Sequence, residues 1–152
     1  MKKLPLSNGE FSLLDDDVYQ EMADWGFAQV KWCKSYYGYA VTNVHGPNGK
    51  RGILYLHQLV VGKAPKGKDT DHINQNKLDN RRENLRFVSR RLNNLNSSKK
   101  KWIIRHQDKW RVRFLFEGME ISVTGIDTEE QARSIAALLR GSLMYYELTK
   151  GG

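Results

Sequence analysis

The run "DTDHINQNKLDNRRENLRFVSRRLNNLN", residues 69–96, sets one Asp-His pair, Asp71 and His72, among asparagines and arginines, with hardly an apolar residue before Leu85. An imidazole with an ordinary pKa of about 6.5 can take a proton from water at neutral pH, which is the work of a general base. A carboxylate one residue away on a strand points to the opposite face, where it can hold a hard cation while the imidazole faces water. Alone, such a pair is usually an ordinary surface dipeptide. Its surroundings argue for more, because so polar a segment returns little hydrophobic free energy against a backbone-ordering cost of about 1–2 kcal/mol per residue. Something other than core packing must hold it.

Spacing suggests the elements that position the pair. Residues 70–73 read as a short strand, "LRFVS" as a second, and "SRRLNNLN" as a helix beginning near a Ser89 cap. Upstream, "EFSLLD" reads as a strand. "DDDVYQEMADWG" reads as a helix with acids at its positive end, Val18, Met22 and Trp25 on one face and Gly26 as its stop. Three consecutive aspartates can suggest a metal site, but no other ligand accompanies them and the helix start explains them better. "SYYGYAVTNV" and "GILYLHQLVV" read as β runs around a hairpin turn at Asn48-Gly49. Downstream, "NSSKKK" reads as a basic linker. "KWIIRHQDKWRVRFLFEGMEISVTGI" reads as three strands with turns at "HQD" and "EGM". Alternation sets Trp110, Val112, Phe114 and Phe116 on one face and Arg111 and Arg113 on the other. "DTEEQARSIAALLRGSL" opens with a Thr128-to-Gln131 capping box and carries a stripe of Ala132, Ile135, Ala136 and Leu139 to cover the aromatic face.

Composition bounds the function. A chain of 152 residues, 39% hydrophobic with four Trp and seven Tyr, can bury a real core. The lone Cys33 excludes an internal disulfide and a Cys-rich zinc site, and points to a reducing compartment. The start "MKKLPLSNGEFS" is too interrupted for a signal segment and no run has membrane-spanning length, so a cytoplasmic location is expected. The net charge of +8 is unevenly spread: residues 31–113 hold twenty Lys and Arg against five acids, while both flanks are net acidic. An excess so concentrated implies an anionic partner, and nucleic acid fits better than membrane because no basic amphipathic helix is evident.

Strand, loop, strand, helix is the ββα-metal layout, and "DHINQNKLDNRRENLR" is similar to the signature of HNH endonucleases of the phage and intron homing type. Asp71, His72, Asn84 and Asn93 all occur at that family's spacing. The resemblance implies phosphodiester hydrolysis, which needs a deprotonated water in line with phosphorus and a cation near the leaving oxygen. It casts His72 as general base and Asp71 and Asn93 as metal ligands, with Asn94 a rival one residue on. Asn84 resembles the family's middle Asn, which fixes the loop and orients the histidine, whereas Asn80 reads as a turn former. The oxygen-rich set favours one magnesium or manganese ion over zinc. The homing enzymes carry a similar "HRL" segment ahead of the motif, matched here by His57 and Leu59 but with Gln58 in place of Arg. His57 is therefore either a satisfied core residue or a catalytic-site residue, as a phosphate contact or orienting partner. Arg82 and Arg86 are either phosphate contacts or solvated positions.

The C-terminal pattern, through "KWRVRF" and "TEEQARSIA", resembles the ethylene-response-factor-like DNA-binding domain, whose sheet lies in the major groove. That resemblance makes Arg105, Arg111 and Arg113 groove-facing candidates. Lys99, Lys100 and Lys101 of the basic linker are, by their charge, candidates to neutralise phosphates. The expected fold is α+β: an N-terminal mixed β region leading into the ββα-metal motif, then a small three-stranded antiparallel sheet backed by one helix. The expected domains are an HNH nuclease at 1–98 and a DNA-binding domain at 99–152. The expected function is a site-directed endonuclease on double-stranded DNA in an infected or host bacterial cell, nicking one strand as a monomer, with a double-strand cut needing two chains. The alternatives are a DNA-binding regulator with an inactive motif and a relatively nonspecific phage nuclease.

Overall fold

The computed structural model describes residues 1–46, 48–97 and 102–149. The fold is α+β, with small antiparallel sheets and four helices among the described residues. The chain divides into two compact units, Met1–Asn93 and Asn94–Gly152.

The first unit opens with a hairpin, β1 (Lys2–Pro5) against β2 (Phe11–Leu14), followed by helix α1 (Asp16–Asp24). Helix α1 starts under the acids Asp16 and Asp17, where the helix dipole favours negative charge. It ends in a Schellman motif at Gly26, whose φ of 78° suits glycine: Gly26 N–H donates to the Ala23 carbonyl and Phe27 N–H to that of Met22. Val18 and Met22 are buried as their spacing implies, but Trp25 is 60% exposed, because it caps the helix and falls off the buried stripe. A three-stranded sheet follows, β3 (Cys33–Lys34), β4 (Ala40–His45) and β5 (Arg51–Tyr55), with Gly49 at φ 69° in the β4–β5 turn. The core of this unit joins Leu4, Leu14, Val18, Met22, Trp32, Ala40 and Leu56, with the Trp32 indole donating to the Phe27 carbonyl at 2.8 Å.

Two stretches expected to be strands differ. In "SYYGYAVTNV" the first four residues form a turn rather than continuing a strand, because Gly38 takes a φ of 87° and Ser35 closes the loop. "GILYLHQLVV" breaks into β5 and a short helix α2 (Leu56–Val61). Leu56, Leu59 and Val60 turn into the core at helical spacing, and a short apolar run does not by itself distinguish helix from strand. The polar segment then folds as β6 (Lys68–His72), a 3₁₀ turn (Arg82–Asn84), β7 (Leu85–Ser89) and helix α3 (Arg90–Asn96). The Ser89 hydroxyl accepts the Leu92 N–H as the expected cap.

The second unit contains β8 (Ile103–His106), β9 (Lys109–Phe116) and β10 (Met119–Ile126), with β9 central, and helix α4 (Glu129–Thr149). Glu117 and Gly118 both have positive φ, the geometry of a tight hairpin turn. Val112, Phe114 and Phe116 are buried against Ala132 and Ala136, and Trp102 stacks on Phe114 with ring centroids 4.2 Å apart. Thr128 and Gln131 exchange the two capping-box hydrogen bonds, each 3.2 Å.

Candidate active site

The strands β6 and β7 pair antiparallel with Asp71 opposite Arg86 and His72 opposite Leu85. Neighbouring side chains on β6 face opposite ways, so Asp71 and His72 head two different groups of residues. Both are buried.

On the histidine side, His72 Nε2 lies 3.2 Å from Asn80 Oδ1. The orientation of that amide follows from its other end. The Leu78 carbonyl can only accept, so the Ser12 hydroxyl, 2.7 Å away, donates to it, and Ser12 Oγ in turn accepts from Asn80 Nδ2 at 2.8 Å. Asn80 therefore presents its oxygen to His72, Nε2 carries the proton, and Nδ1 keeps the lone pair in the neutral ring. The loop that holds Asn80 is anchored to β2, with Leu13 N–H on the Leu78 carbonyl and Asn80 N–H on the Leu13 carbonyl. Burial pushes the His72 pKa below its usual value, against the upward pull of the Asn80 hydrogen bond and the Asp71 charge. The ring is thus kept neutral, the state a base requires.

Aromatic rings complete this side. His57 stands edge-on to His72 with ring centroids 5.6 Å apart, Tyr39 lies 5.3 Å from His57 and 5.9 Å from His72, and Tyr55 lies 5.4 Å from His57. Burial, and then the proximity of a second imidazole, His72, lower the His57 pKa to about 4. Burial, and then the charge of Asp71, raise that of the Tyr39 phenol. The structure thus brings His57 beside His72, on a helix rather than a strand.

On the other side, the Asp71 Oδ2 accepts from Arg86 Nε at 2.9 Å; Nη2 is 2.8 Å away but off the hydrogen-bond line, a charge contact with one directed bond. Asp69, two residues earlier and so on the same face, accepts from Asn93 Nδ2 at 3.2 Å and lies 3.6 Å from Arg90 Nε. That bond leaves Asn93 with its Oδ1 as donor atom. A carboxylate and an amide oxygen are hard ligands of the kind a magnesium-like ion takes, here with Asp71 already paired to Arg86 and Asn93 bonded to Asp69. Among the described residues no group of three or more His, Cys, Asp or Glu could hold a metal, so such an ion would rest on this small oxygen set.

The remaining residues singled out from the sequence are distributed as follows. Asn84 is buried, and its amide serves the loop rather than the imidazole: Nδ2 donates to the Asp79 carbonyl at 2.7 Å and Oδ1 accepts the Asn74 N–H at 3.0 Å. Arg82 pairs with Asp17 and approaches Glu21 at 3.8 Å, while its N–H donates to Asp15. Its guanidinium serves α1 and the loop, just as that of Arg86 serves Asp71. Lys99, Lys100 and Lys101 lie outside the described residues. Arg111 and Arg113 share the outer face of β9, and both pair with Glu120. Arg105 sits on the opposite face, because it pairs with Trp110 across β8 and β9, which leaves Ile104 beside Arg111.

Four site residues escaped sequence reasoning. Asn80, only 1% exposed, had the signal of a polar residue at the motif's centre but reads first as a turn former. Asp69 was marked by its period-two spacing from Asp71. Ser12 and Tyr39 come from distant segments and carried no signal.

The sequence model of the HNH endonuclease family matches residues 55–95, from the end of β5 into α3. An uncharacterised HNH endonuclease of Acanthamoeba polyphaga mimivirus is similar to this chain, with 30% identity over 93% of this chain and 85% of its own length. No solved structure matches the chain.

Proposed function

From the premise that this chain belongs to the HNH endonuclease family, we propose a site-directed, homing-type endonuclease that hydrolyses phosphodiester bonds in double-stranded DNA with one divalent cation and His72 as general base. The observation that carries this reading is the Ser12–Asn80–His72 chain of hydrogen bonds, which commits Nε2 as donor and leaves Nδ1 as the basic atom. His72 Nδ1 takes the proton of a water placed in line with phosphorus, and the leaving oxygen is protonated from solvent. Asp71 and Asn93 would hold magnesium or manganese, whose charge offsets that developing on the leaving oxygen. Asn84 keeps the loop in shape, and His57 and Tyr39 pack the imidazole in place.

Residues 1–98 would form the nuclease domain and 99–152 an ethylene-response-factor-like DNA-binding domain. Arg111 and Arg113 on its outer face are candidates for base edges or phosphates once they exchange Glu120 for DNA. The opposite placement of Arg105 makes it a phosphate contact at the sheet's margin rather than a reader in the groove. A monomer would nick one strand. The viral relative supports a virus-borne enzyme, with bacteriophage origin and a cytoplasmic location as part of the proposal. No helix among the described residues is long and apolar enough to cross a membrane.

One observation favours a DNA-binding regulator with a silent motif: the Arg86 guanidinium already neutralises Asp71. Supercoiled plasmid, incubated with and without magnesium, separates the two. Nicking that needs the cation, and that needs more of it after Asp71→Ala, is expected; binding without nicking at any magnesium or manganese concentration would favour the regulator.

A further inference from the structure

The turn between β3 and β4 lifts two aromatic rings into water beside the candidate active site. Tyr36 is 97% exposed and Tyr37 60%, and their rings touch edge to face at 5.3 Å. The turn beneath them is tightly held. Ser35 N–H donates to the Tyr39 carbonyl at 2.8 Å, Gly38 N–H to the Ser35 carbonyl at 2.8 Å, and Tyr39 N–H to the Ser35 hydroxyl at 3.1 Å. Gly38 takes the left-handed φ that the turn requires. Lys77 Nζ donates to the Tyr37 carbonyl at 2.8 Å and stands 4.2 Å from the centroid of the Tyr39 ring. A rigid tip that carries two large planar side chains contributes nothing to the core, and its order is already established before any partner arrives.

We infer that this turn is a wedge for duplex DNA: Tyr36 and Tyr37 stack against bases beside the phosphate presented to His72. The inference rests on the proposed nuclease reading and adds a residue-level contact to it. Tyr39, which closes the turn, packs against His57 and His72, so the tip and the basic imidazole are joined through one side chain. Tyr36 is three residues from Tyr39, a reach of at most about 10 Å and less in a closed turn, so the tip lies within about three base steps of Tyr39 along a strand. The ammonium of Lys77 at the foot of the turn complements a phosphate backbone, and it comes from the same loop as Asn80. Inserted side chains partly unstack a base step and bend the duplex, which brings a phosphate out toward a recessed base. Tyrosine suits stacking on any base, since every base has a π face.

The test begins by mapping nicks made by the wild-type protein on supercoiled plasmid, then compares a duplex containing a mapped site in fully paired form and with a mismatch at the neighbouring step. Tyr36→Ala with Tyr37→Ala should fold normally, with an unchanged melting curve, and should nick the paired duplex about 10- to 100-fold more slowly. The mismatch, already unstacked, should restore most of that rate. Tyr36→Phe with Tyr37→Phe, which keeps both rings, should recover the paired-duplex rate. An alanine pair that nicks the paired duplex at the wild-type rate overturns the wedge and leaves the tip to a protein partner; equal slowing on both duplexes also overturns it. Permanganate reactivity of thymines in plasmid bound without divalent cation gives a readout independent of cleavage. Enhanced reactivity with the wild type and not with the alanine pair supports the wedge even if the wild type nicks nothing, a result that would sink the nuclease reading alone. Equal reactivity with both proteins overturns the wedge.

Discussion

From Asp71 to Asn84 the buried residues are polar: His72 is bonded to Asn80, Asn80 to Ser12, and Asn84 to the Asp79 carbonyl. In the C-terminal unit the centre is Val112, Phe114 and Phe116 against the alanines of α4, held by apolar area. Apolar packing is non-directional and tolerates small rearrangements, whereas a buried hydrogen bond fixes an angle and penalises any loss of partner. In the proposed reaction a base must be aimed, so the polar centre would be where orientation is specified, while the sheet would need only to stay folded and present one face.

Four experiments test that contrast. His72→Ala should act most strongly, with nicking reduced by about 10²–10⁴-fold while gel-shift affinity for DNA stays near wild type, as for a lost general base. A variant that nicks at the wild-type rate removes His72 from the chemistry. Phe114→Ala should cost about 3–5 kcal/mol in the denaturation of the C-terminal unit, the usual effect of emptying an aromatic site in a core. Hydrogen exchange of β9 and α4 amides should accelerate while that of β6 and β7 is unchanged; equal acceleration in both regions would show one cooperative unit instead of two.

The third experiment uses His57. Its folded pKa of about 4 lies below the ordinary value, so between the two the unfolded chain binds more protons and stability falls as pH drops. The loss should run from about pH 6.5 down to about pH 4 and amount to at most about 3 kcal/mol, with no further contribution below. His57→Phe should flatten that portion of the stability profile, measured by urea midpoint; an unchanged slope would assign the effect to other groups. Arg111→Ala with Arg113→Ala should act most mildly, blurring site choice by about 1–3 kcal/mol for each base no longer read while leaving the intrinsic nicking chemistry intact. Unchanged nick maps would reduce the outer sheet face to scaffold.

The parts of the fold that rest on neighbours in sequence were legible in it. The acids that start α1, Gly26 at its end, the Ser89 cap, the strand "LRFVS" and the Thr128–Gln131 box all depend on spacings of a few residues, where local hydrogen bonds decide. Helix α2 was not legible, because an apolar run under a buried wall satisfies either period and the choice was made by the core around Leu56. Arg105 was misplaced for a related reason. The two-residue turn at Gln107 and Asp108 sets a register in which odd positions on β8 face even positions on β9, so Arg105 joins Trp110 rather than Arg111. Within the candidate site, Asp71, His72, Asn84 and Asn93 were marked by a spacing that resembles the HNH signature. The partner that orients His72 was not, since Ser12 and Asn80 are separated by 68 positions and meet only once β2 lies along the loop.

That last contact bears on what can be transplanted. The stretch that carries the family signature ends at residue 95 and starts at 55, yet the hydroxyl that locks the imidazole tautomer belongs to the N-terminal hairpin. A graft of the signature onto another scaffold would carry Asp71, His72 and the amides but inherit a histidine free to choose its proton. The strand β2 also leaves the ribosome well before Asn80 does, so the Asn80 amide is oriented toward His72 only once the late loop has folded back onto that early strand.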